Sequence, residues 1–487
     1  MRSKPCWNRS HRRTFAVVVV AWVMAGSSPG DALADWKDDI GYTALQAELG
    51  AATPTGVGVN VSQGEARVTD NGPPTTIRYM PNTASAQLST KTFTDGSGMN
   101  VGVNSHADGV ANLFIGNTAS IAPGVINITN YDANDWLDDK LGSVSKTEPV
   151  AHPFKVQNHS WIANAKTPTD KTGVEDLAKR VDYLVNRDDV LIIGGSTNSG
   201  SIPDLLAHSY NAISVGRTDG GHGSGPTTFY GSGRPRPDIV APSGTTSGAT
   251  PMVSSTAAML YETAAGSNAD HVETMRAVLM AGATKNEFAS WDRTATRPID
   301  EVYGAGEVNA YNSYQILAGG ETNGTLVAPL TAAGLFGYDF VEAIDFSGTM
   351  QYRFDVDPGF VMDELSIFLS WNIQVTNASA VSGEFIPDAD PSSSASLSNL
   401  ELTLRDASNA IIDQSISGVD NFEHIYLQDL AAGSYTLQVS RDQAVDYGLA
   451  WRSSISAVPE PASVLLLSSG FAAWGFRRKA VAIQVTG

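Results

Sequence analysis

The sequence predicts an α/β fold, a parallel sheet flanked by helices, followed by an all-β sandwich. Three patterns predict it. From about Val57 to Ala310, short apolar runs alternate with helix-length stretches; such alternation makes strands parallel and lays helices on the faces of the sheet. From about Tyr338 to Trp451 the period changes to two, the pattern of half-buried antiparallel strands. Between the two regions, Gly319 to Thr325 has the Gly- and Thr-rich composition of a linker.

The elements follow in order. Val57 to Val61, Val156 to Ser160, Val190 to Ile193 and Ala212 to Val215 are β-branched runs of strand length. Val174 to Arg187 has helix length, and Pro251 to Thr263 and His271 to Leu279 read as two successive helices. Ala249, Ala257 and Ala258 suggest that the first of this pair is closely packed. In the later region Leu400, Leu402 and Leu404 alternate with polar residues, as do Tyr435, Leu437 and Val439 after the turn Ala431-Ala432-Gly433. Pro387 to Ser398, rich in Ser, Ala, Asp and Pro, reads as an exposed loop. No internal repeat is visible.

At 487 residues the chain exceeds one ordinary domain. With 42% hydrophobic and 17% charged residues it is globular rather than disordered. A formal net charge of -20 argues against nucleic acid or an anionic membrane surface as the main partner, since both repel an acidic protein.

Both ends carry targeting patterns. Arg2, Lys4, Arg9, Arg12 and Arg13 precede a short apolar run from Phe15 to Ala25, and Ala32-Leu33-Ala34 is a small-x-small cleavage site. This is the layout of a secretory signal peptide. The single cysteine, Cys6, lies inside it. A mature chain beginning at Asp35 therefore holds no thiol, which excludes disulfides, a thiol nucleophile and cysteine metal sites. At the other end Pro459-Glu460-Pro461 precedes an apolar run from Ala462 to Phe476 and the basic Arg477-Arg478-Lys479. The run is shorter than the ~20 residues of a stable span, which suits transient retention. The tail resembles the PEP-CTERM sorting signal. That resemblance implies processing by an exosortase and a place on the cell surface or in the extracellular matrix of a Gram-negative bacterium. Eight residues, Ala480 to Gly487, follow the basic cluster, more than such tails usually carry.

The chemistry is concentrated in one segment. Arg236-Pro237-Asp238-Ile239-Val240-Ala241-Pro242 is followed by Thr246-Ser247-Gly248-Ala249-Thr250-Pro251. A strand, a loop and then a serine just before a proline that can start a helix put a hydroxyl at a positive helix end. Free backbone N–H groups there stabilise negative charge that develops during attack on a carbonyl. The segment resembles the nucleophile motif of the subtilisin-like serine peptidase family, Gly-Thr-Ser-Met-Ala-Thr/Ser-Pro after Lys-Pro-Asp-Ile-Val-Ala-Pro-Gly, with Gly248 in place of the methionine. On that match Ser247 is the nucleophile. Ser105-His106-Ala107-Asp108-Gly109-Val110-Ala111 resembles the family's His-Gly-Thr-His-Val-Ala-Gly segment, which puts His106 on the general base, just before a helix over Val110 to Ile115. Ile192 to Gly200 resembles the strand ending in Ala-Ala-Gly-Asn-Glu-Gly and puts the oxyanion amide on Asn198. Val156 to Trp161 resembles the strand that lines the substrate groove, which makes Ser160 and Trp161 substrate-binding candidates. Gly304 to Ala310 resembles the closing Gly-x-Gly-x-Val-Asn-Ala segment.

The acid departs from the pattern. Where the family has Val-Ala-Val-Ile-Asp-Thr-Gly, this chain has Val57-Gly58-Val59-Asn60-Val61-Ser62-Gln63-Gly64-Glu65. Depending on register, Ser62 or Gln63 stands at the aspartate's place; Glu65 is the nearest carboxylate and Asp70 the next. Amidating the acid of a serine-protease triad costs about 10⁴ in turnover. Either Glu65 orients His106, or the enzyme is impaired.

The sandwich resembles pre-peptidase C-terminal and related domains through Asn421 to Ile425, Gly433 to Leu437 and Tyr447 to Trp451. Asp355, Asp357, Asp363 and Glu364 are acidic turn residues, and no metal is expected on them. The expected organisation is a signal peptide at 1–34, a subtilisin-like peptidase domain at 35–318, a β-sandwich at 330–455 and a sorting tail at 458–480. The function implied is an exported serine endopeptidase, a monomer without a cofactor, acting on peptide or protein. The alternative is a catalytically impaired surface protein of the same fold that binds peptide or matrix polymer.

Overall fold

The computed structural model describes residues 17–20, 35–70, 76–165, 171–343 and 348–458. The cleavage site at Ala32 to Ala34 and the tail from Pro459 lie outside the described residues. Seven strands form one parallel sheet: β1 Val61–Glu65, β2 Thr92–Asp95, β3 Asn127–Asp132, β4 Val156–His159, β5 Leu191–Gly195, β6 Ile213–Arg217 and β7 Ile239–Ala241, in the order β7-β6-β5-β4-β1-β3-β2. β1, β4 and β5 are buried at every position, which is why Val190 to Ile193 reads as a continuous apolar run rather than an alternation. Among the described residues, six helices of eight residues or more accompany the sheet: α1 Tyr42–Leu49, α2 Ser105–Ile115, α3 Lys171–Asp188, α4 Thr246–Ala264, α5 Val272–Gly282 and α6 Ala310–Gly319.

The first strand lies further along the chain than the β-branched run suggested. Val57 is 58% exposed, in a turn between Gly56 (φ 83°) and Gly58 (φ 80°). Both glycines adopt the left-handed region that a strand excludes. The Glu262 carboxylate, on α4, accepts from the backbone N–H groups of Thr55, Gly56 and Val57 at 2.6, 2.6 and 3.0 Å and holds this turn closed. The strand starts at Val61 and ends on Glu65. Two helices also start earlier than expected. Asn104 caps α2, so His106 lies inside its first turn rather than ahead of the helix. Thr245 caps α4, so Ser247 is a helical residue and Pro251 lies within the helix.

After α6, among the described residues and besides the two-residue antiparallel pair Thr376–Asn377 and Pro387–Asp388, come eight longer antiparallel strands: β8 Phe336–Val341, β9 Met350–Val356, β10 Phe360–Trp371, β11 Leu400–Arg405, β12 Ile411–Ser415, β13 Phe422–Leu430, β14 Gly433–Arg441 and β15 Tyr447–Ala457. They form two sheets, β8-β15-β10-β13 and β9-β14-β11-β12. Leu400, Leu402 and Leu404 point into the space between them together with Tyr352, Phe354, Leu437, Val439 and Trp451, the alternation expected of a sandwich. The stretch 387–398 is less exposed than its composition implied: Ala389 and Leu397 are buried in the core of the α/β region.

The sandwich shares that core. Tyr338, Phe368, Ile373, Phe422 and Ala450 pack into the same hydrophobic cluster as β4, β5 and α4. All eleven residues of α5 are buried, because β10 and β15 cover the side that the sheet leaves free. A helix buried on every side needs no polar face. Arg276 of α5 donates to the carbonyls of Asn211 and Trp371 at 2.9 and 2.8 Å. Arg452 of β15 donates to Ala281 and Ala283 at 2.9 and 3.1 Å and pairs with Glu364 at 2.6 Å. These arginines satisfy carbonyls that burial would otherwise leave costly.

Candidate active site

In a parallel sheet the C-terminal ends of the strands share one edge, and the candidate residues cluster there. Glu65 ends β1. Ser160 and Trp161 follow β4, and Asn198 follows β5. His106 and Ser247 sit in the first turns of α2 and α4, which pack against each other.

Glu65 and His106 are in contact. The ring Nδ1 of His106 lies 2.7 Å from Oε1 of Glu65, and the carboxylate is fully buried. Asn104 fixes this geometry. Its Oδ1 accepts from the N–H groups of His106 and Ala107 at 2.9 and 3.3 Å, while its Nδ2 donates to the carbonyl of Ala66 at 3.1 Å. One side chain thus caps α2 and ties its start to the residue after Glu65. The sequence reading passed over Asn104; the signal available was an Asn directly ahead of a helix start. Of the two residues expected at the acid's place, Gln63 donates to the carbonyl of Ala107 at 3.2 Å, and the buried Ser62 hydroxyl makes no hydrogen bond among the described residues. Asp70 is in a separate exposed strand and pairs with Arg78.

The electrostatics favour a charged partner for the ring. Burial alone would lower the His106 pKa, but the Glu65 charge and hydrogen bond carry it above the ordinary histidine value. Burial pushes the Glu65 carboxyl up, and the ring opposes that. With Nδ1–H donated to the carboxylate, the lone pair of the neutral ring is on Nε2, which is buried and has no hydrogen-bond partner among the described residues. A buried acceptor without a partner is costly, and the Ser247 hydroxyl, whose proton a general base here would take, bonds to Thr245 instead of to this nitrogen.

Ser247, Asn198, Ser160 and Trp161 line one cavity. Asn198 Oδ1 accepts from the Thr246 N–H at 2.7 Å and from its hydroxyl at 3.2 Å. With its oxygen pinned on Thr246, Asn198 carries its amide nitrogen, a hydrogen-bond donor, beside the start of this helix. The Ser247 hydroxyl donates to Thr245 Oγ1 at 3.4 Å, a long bond, and Thr245 Oγ1 also accepts from the Gly248 N–H at 3.1 Å. Ser254 of α4 donates to Asn158 Oδ1 at 2.9 Å, and Asn158 donates to Ser160 at 3.1 Å. This relay locks the helix to the end of β4. Gly195, at the end of β5, lies so close to α4 that a Cβ there would meet Thr250 Oγ1 at 2.9 Å.

Three of the four acidic residues singled out in the sandwich have side-chain partners: Arg353 and Ser434 for Asp355, Ser456 for Asp363 and Arg452 for Glu364. Among the described residues, Asp189, His271 and Glu273 bring ligand-type atoms together. The Lys155 ammonium, 3.0 Å from Asp189, already supplies positive charge there.

Residues 457–479 match the PEP-CTERM protein-sorting motif. The chain thus carries the mark of an exported, C-terminally sorted protein. Among the described residues no helix is long and apolar enough to cross a membrane. No curated protein matches the chain by sequence. Among solved structures it is similar to a protease from Pseudoalteromonas arctica, at 14% identity and TM-score 0.34, over 57% of this chain and 97% of that one. It is also similar to the epidermin leader peptide processing serine protease of Staphylococcus aureus, at 13% identity and TM-score 0.41, over 60% of this chain and 83% of that one. A cold-adapted subtilisin-like serine proteinase matches at 15% identity and TM-score 0.33, over 52% of this chain and 88% of that one.

Proposed function

We propose that the chain is an exported subtilisin-like serine endopeptidase in which Glu65 takes the role of the orienting acid. The observation that carries this reading is the 2.7 Å contact between a fully buried carboxylate and His106 Nδ1, at the same sheet edge as the Ser247–Asn198 cavity. Ser247 Oγ attacks the scissile carbonyl and passes its proton to His106 Nε2. The Asn198 amide and backbone N–H groups of the first turn of α4 hold the oxyanion. The C–N bond breaks as His106 returns the proton to the leaving amine. Water, deprotonated by the same ring, then hydrolyses the acyl-enzyme. Glu65 holds the tautomer and stabilises the imidazolium throughout.

Peptide or protein is the substrate on this reading. On the same reading, removal of a signal peptide after Ala34 and exosortase-type processing of the tail would deliver the enzyme to the surface or matrix of a Gram-negative bacterium; the match of residues 457–479 to the sorting motif supports this. A second reading, a surface protein of this fold that binds peptide or matrix polymer without cleaving it, is favoured by one observation: Ser247 Oγ bonds to Thr245, while His106 Nε2 bonds to nothing. Labelling with an alkyl fluorophosphonate separates the two. The peptidase forms an adduct on Ser247 that disappears in Ser247→Ala and His106→Ala; a binder forms none at any pH.

A further inference from the structure

The cavity beside Ser247 is small and its walls are fixed. Its volume is about 10 Å³, at the lower limit for a single water. Trp161 forms one wall, only 2% exposed. Its indole N–H donates to His159 Nδ1 at 3.2 Å, and its ring stands edge-on to Trp136 at 6.2 Å. Burial drops His159 to about 3, so it stays neutral and able to accept that bond. Another wall is Ser196 and Thr197, whose hydroxyls donate to the carbonyls of Gly223 and Ser201 at 2.6 and 2.7 Å. Gly223 backs this wall so closely that a Cβ there would lie 2.1 Å from Thr197 Oγ1. Neither wall has room to retreat. Ile162 also lines the cavity.

A backbone track leads into this cavity. Ile162–Ala165 is bonded antiparallel to the short strand Val17–Val20, with Val20 opposite Ile162 and Val17 opposite Ala165. An extended chain on this edge therefore runs, N to C, toward Trp161 and Ser160. A strand edge that pairs with one segment can pair with another.

We propose that the site selects extended peptides with glycine, alanine or serine on the acyl side of the cleaved bond. This rests on the peptidase reading above. A methyl or hydroxymethyl group fits a space of one water; a leucine, phenylalanine or lysine side chain does not.

Three probes test it on the intact exported chain: a simple alkyl fluorophosphonate, and tripeptidyl diphenyl phosphonates ending in the alanine or the phenylalanine analogue. One methylene too many in a rigid pocket costs about 10- to 200-fold, so the phenylalanine probe is expected to label Ser247 at least ~100-fold more slowly than the alanine probe. Ile162→Gly opens the mouth and is expected to narrow that ratio, with alkyl labelling reporting that the variant is folded. Equal labelling by the two peptidyl probes in the wild type overturns the small-residue proposal and leaves the peptidase standing. No labelling by the alkyl probe overturns both.

Discussion

At the scale of single residues, the site is held by side chains that each make two contacts. Asn198 fixes its oxygen on Thr246 and presents its amide. Its removal should act on the transition state rather than on substrate binding. Asn198→Ala is expected to lower kcat by about 10²–10³ with little change in KM, measured by steady-state peptide hydrolysis. Asn104 couples the start of α2 to the chain beyond Glu65. Asn104→Ala removes an N-cap and is expected to lower stability by about 1 kcal/mol in denaturant melts. It should also slow Ser247 labelling, because His106 then loses its fixed distance to Glu65. A mutation that lowered stability without touching labelling would reduce Asn104 to an ordinary cap.

At the scale of elements, the decisive event is where β1 starts. Two left-handed glycines and the Glu262 carboxylate delay the strand to Val61, which delivers Glu65 rather than Gln63 to the ring. The chain of β-branched residues around Val57 and Val59 does not reveal this. Local propensity favours a strand there, and the carboxylate that prevents it lies some two hundred residues away. The parallel sheet, the helix that carries Ser247 and the period-two strands of the sandwich were legible, because each is written in local periodicity. The burial of 387–398 was not, because polar composition hides the contacts of Ala389 and Leu397. The tight fit around β1 gives its own test. A Cβ on Gly64 would lie 2.5 Å from His159 Nδ1 and 3.0 Å from Trp161 Nε1. Gly64→Ala is therefore expected to cost about 1–3 kcal/mol by overpacking, read as a lower melting temperature. Because β1 ends one residue later, Ser247 labelling should fall as well.

At the scale of the whole molecule, the sandwich completes the α/β region rather than hanging from it. It covers α5, and its Gly448 lies against the helix backbone at Thr274, where a Cβ would meet the amide nitrogen at 2.3 Å. A chain truncated after Gly319 would expose the apolar side of α5 and leave Arg276 without the Trp371 carbonyl. Such a fragment is expected to aggregate, and the intact protein to unfold by calorimetry in a single transition; two separate transitions would show the sandwich to be independent. The central claim, that Glu65 governs the base, is tested most directly by the pH dependence of fluorophosphonate labelling in the wild type and in Glu65→Gln. His106 acts as base only when neutral, and its pKa is held above the ordinary value by Glu65. Wild-type labelling should therefore be lost as pH falls through a midpoint above the ordinary histidine value of about 6.5. In Glu65→Gln burial is left unopposed, so the midpoint should move down while the plateau rate drops by about 10⁴. An unchanged midpoint and plateau in Glu65→Gln would contradict the account.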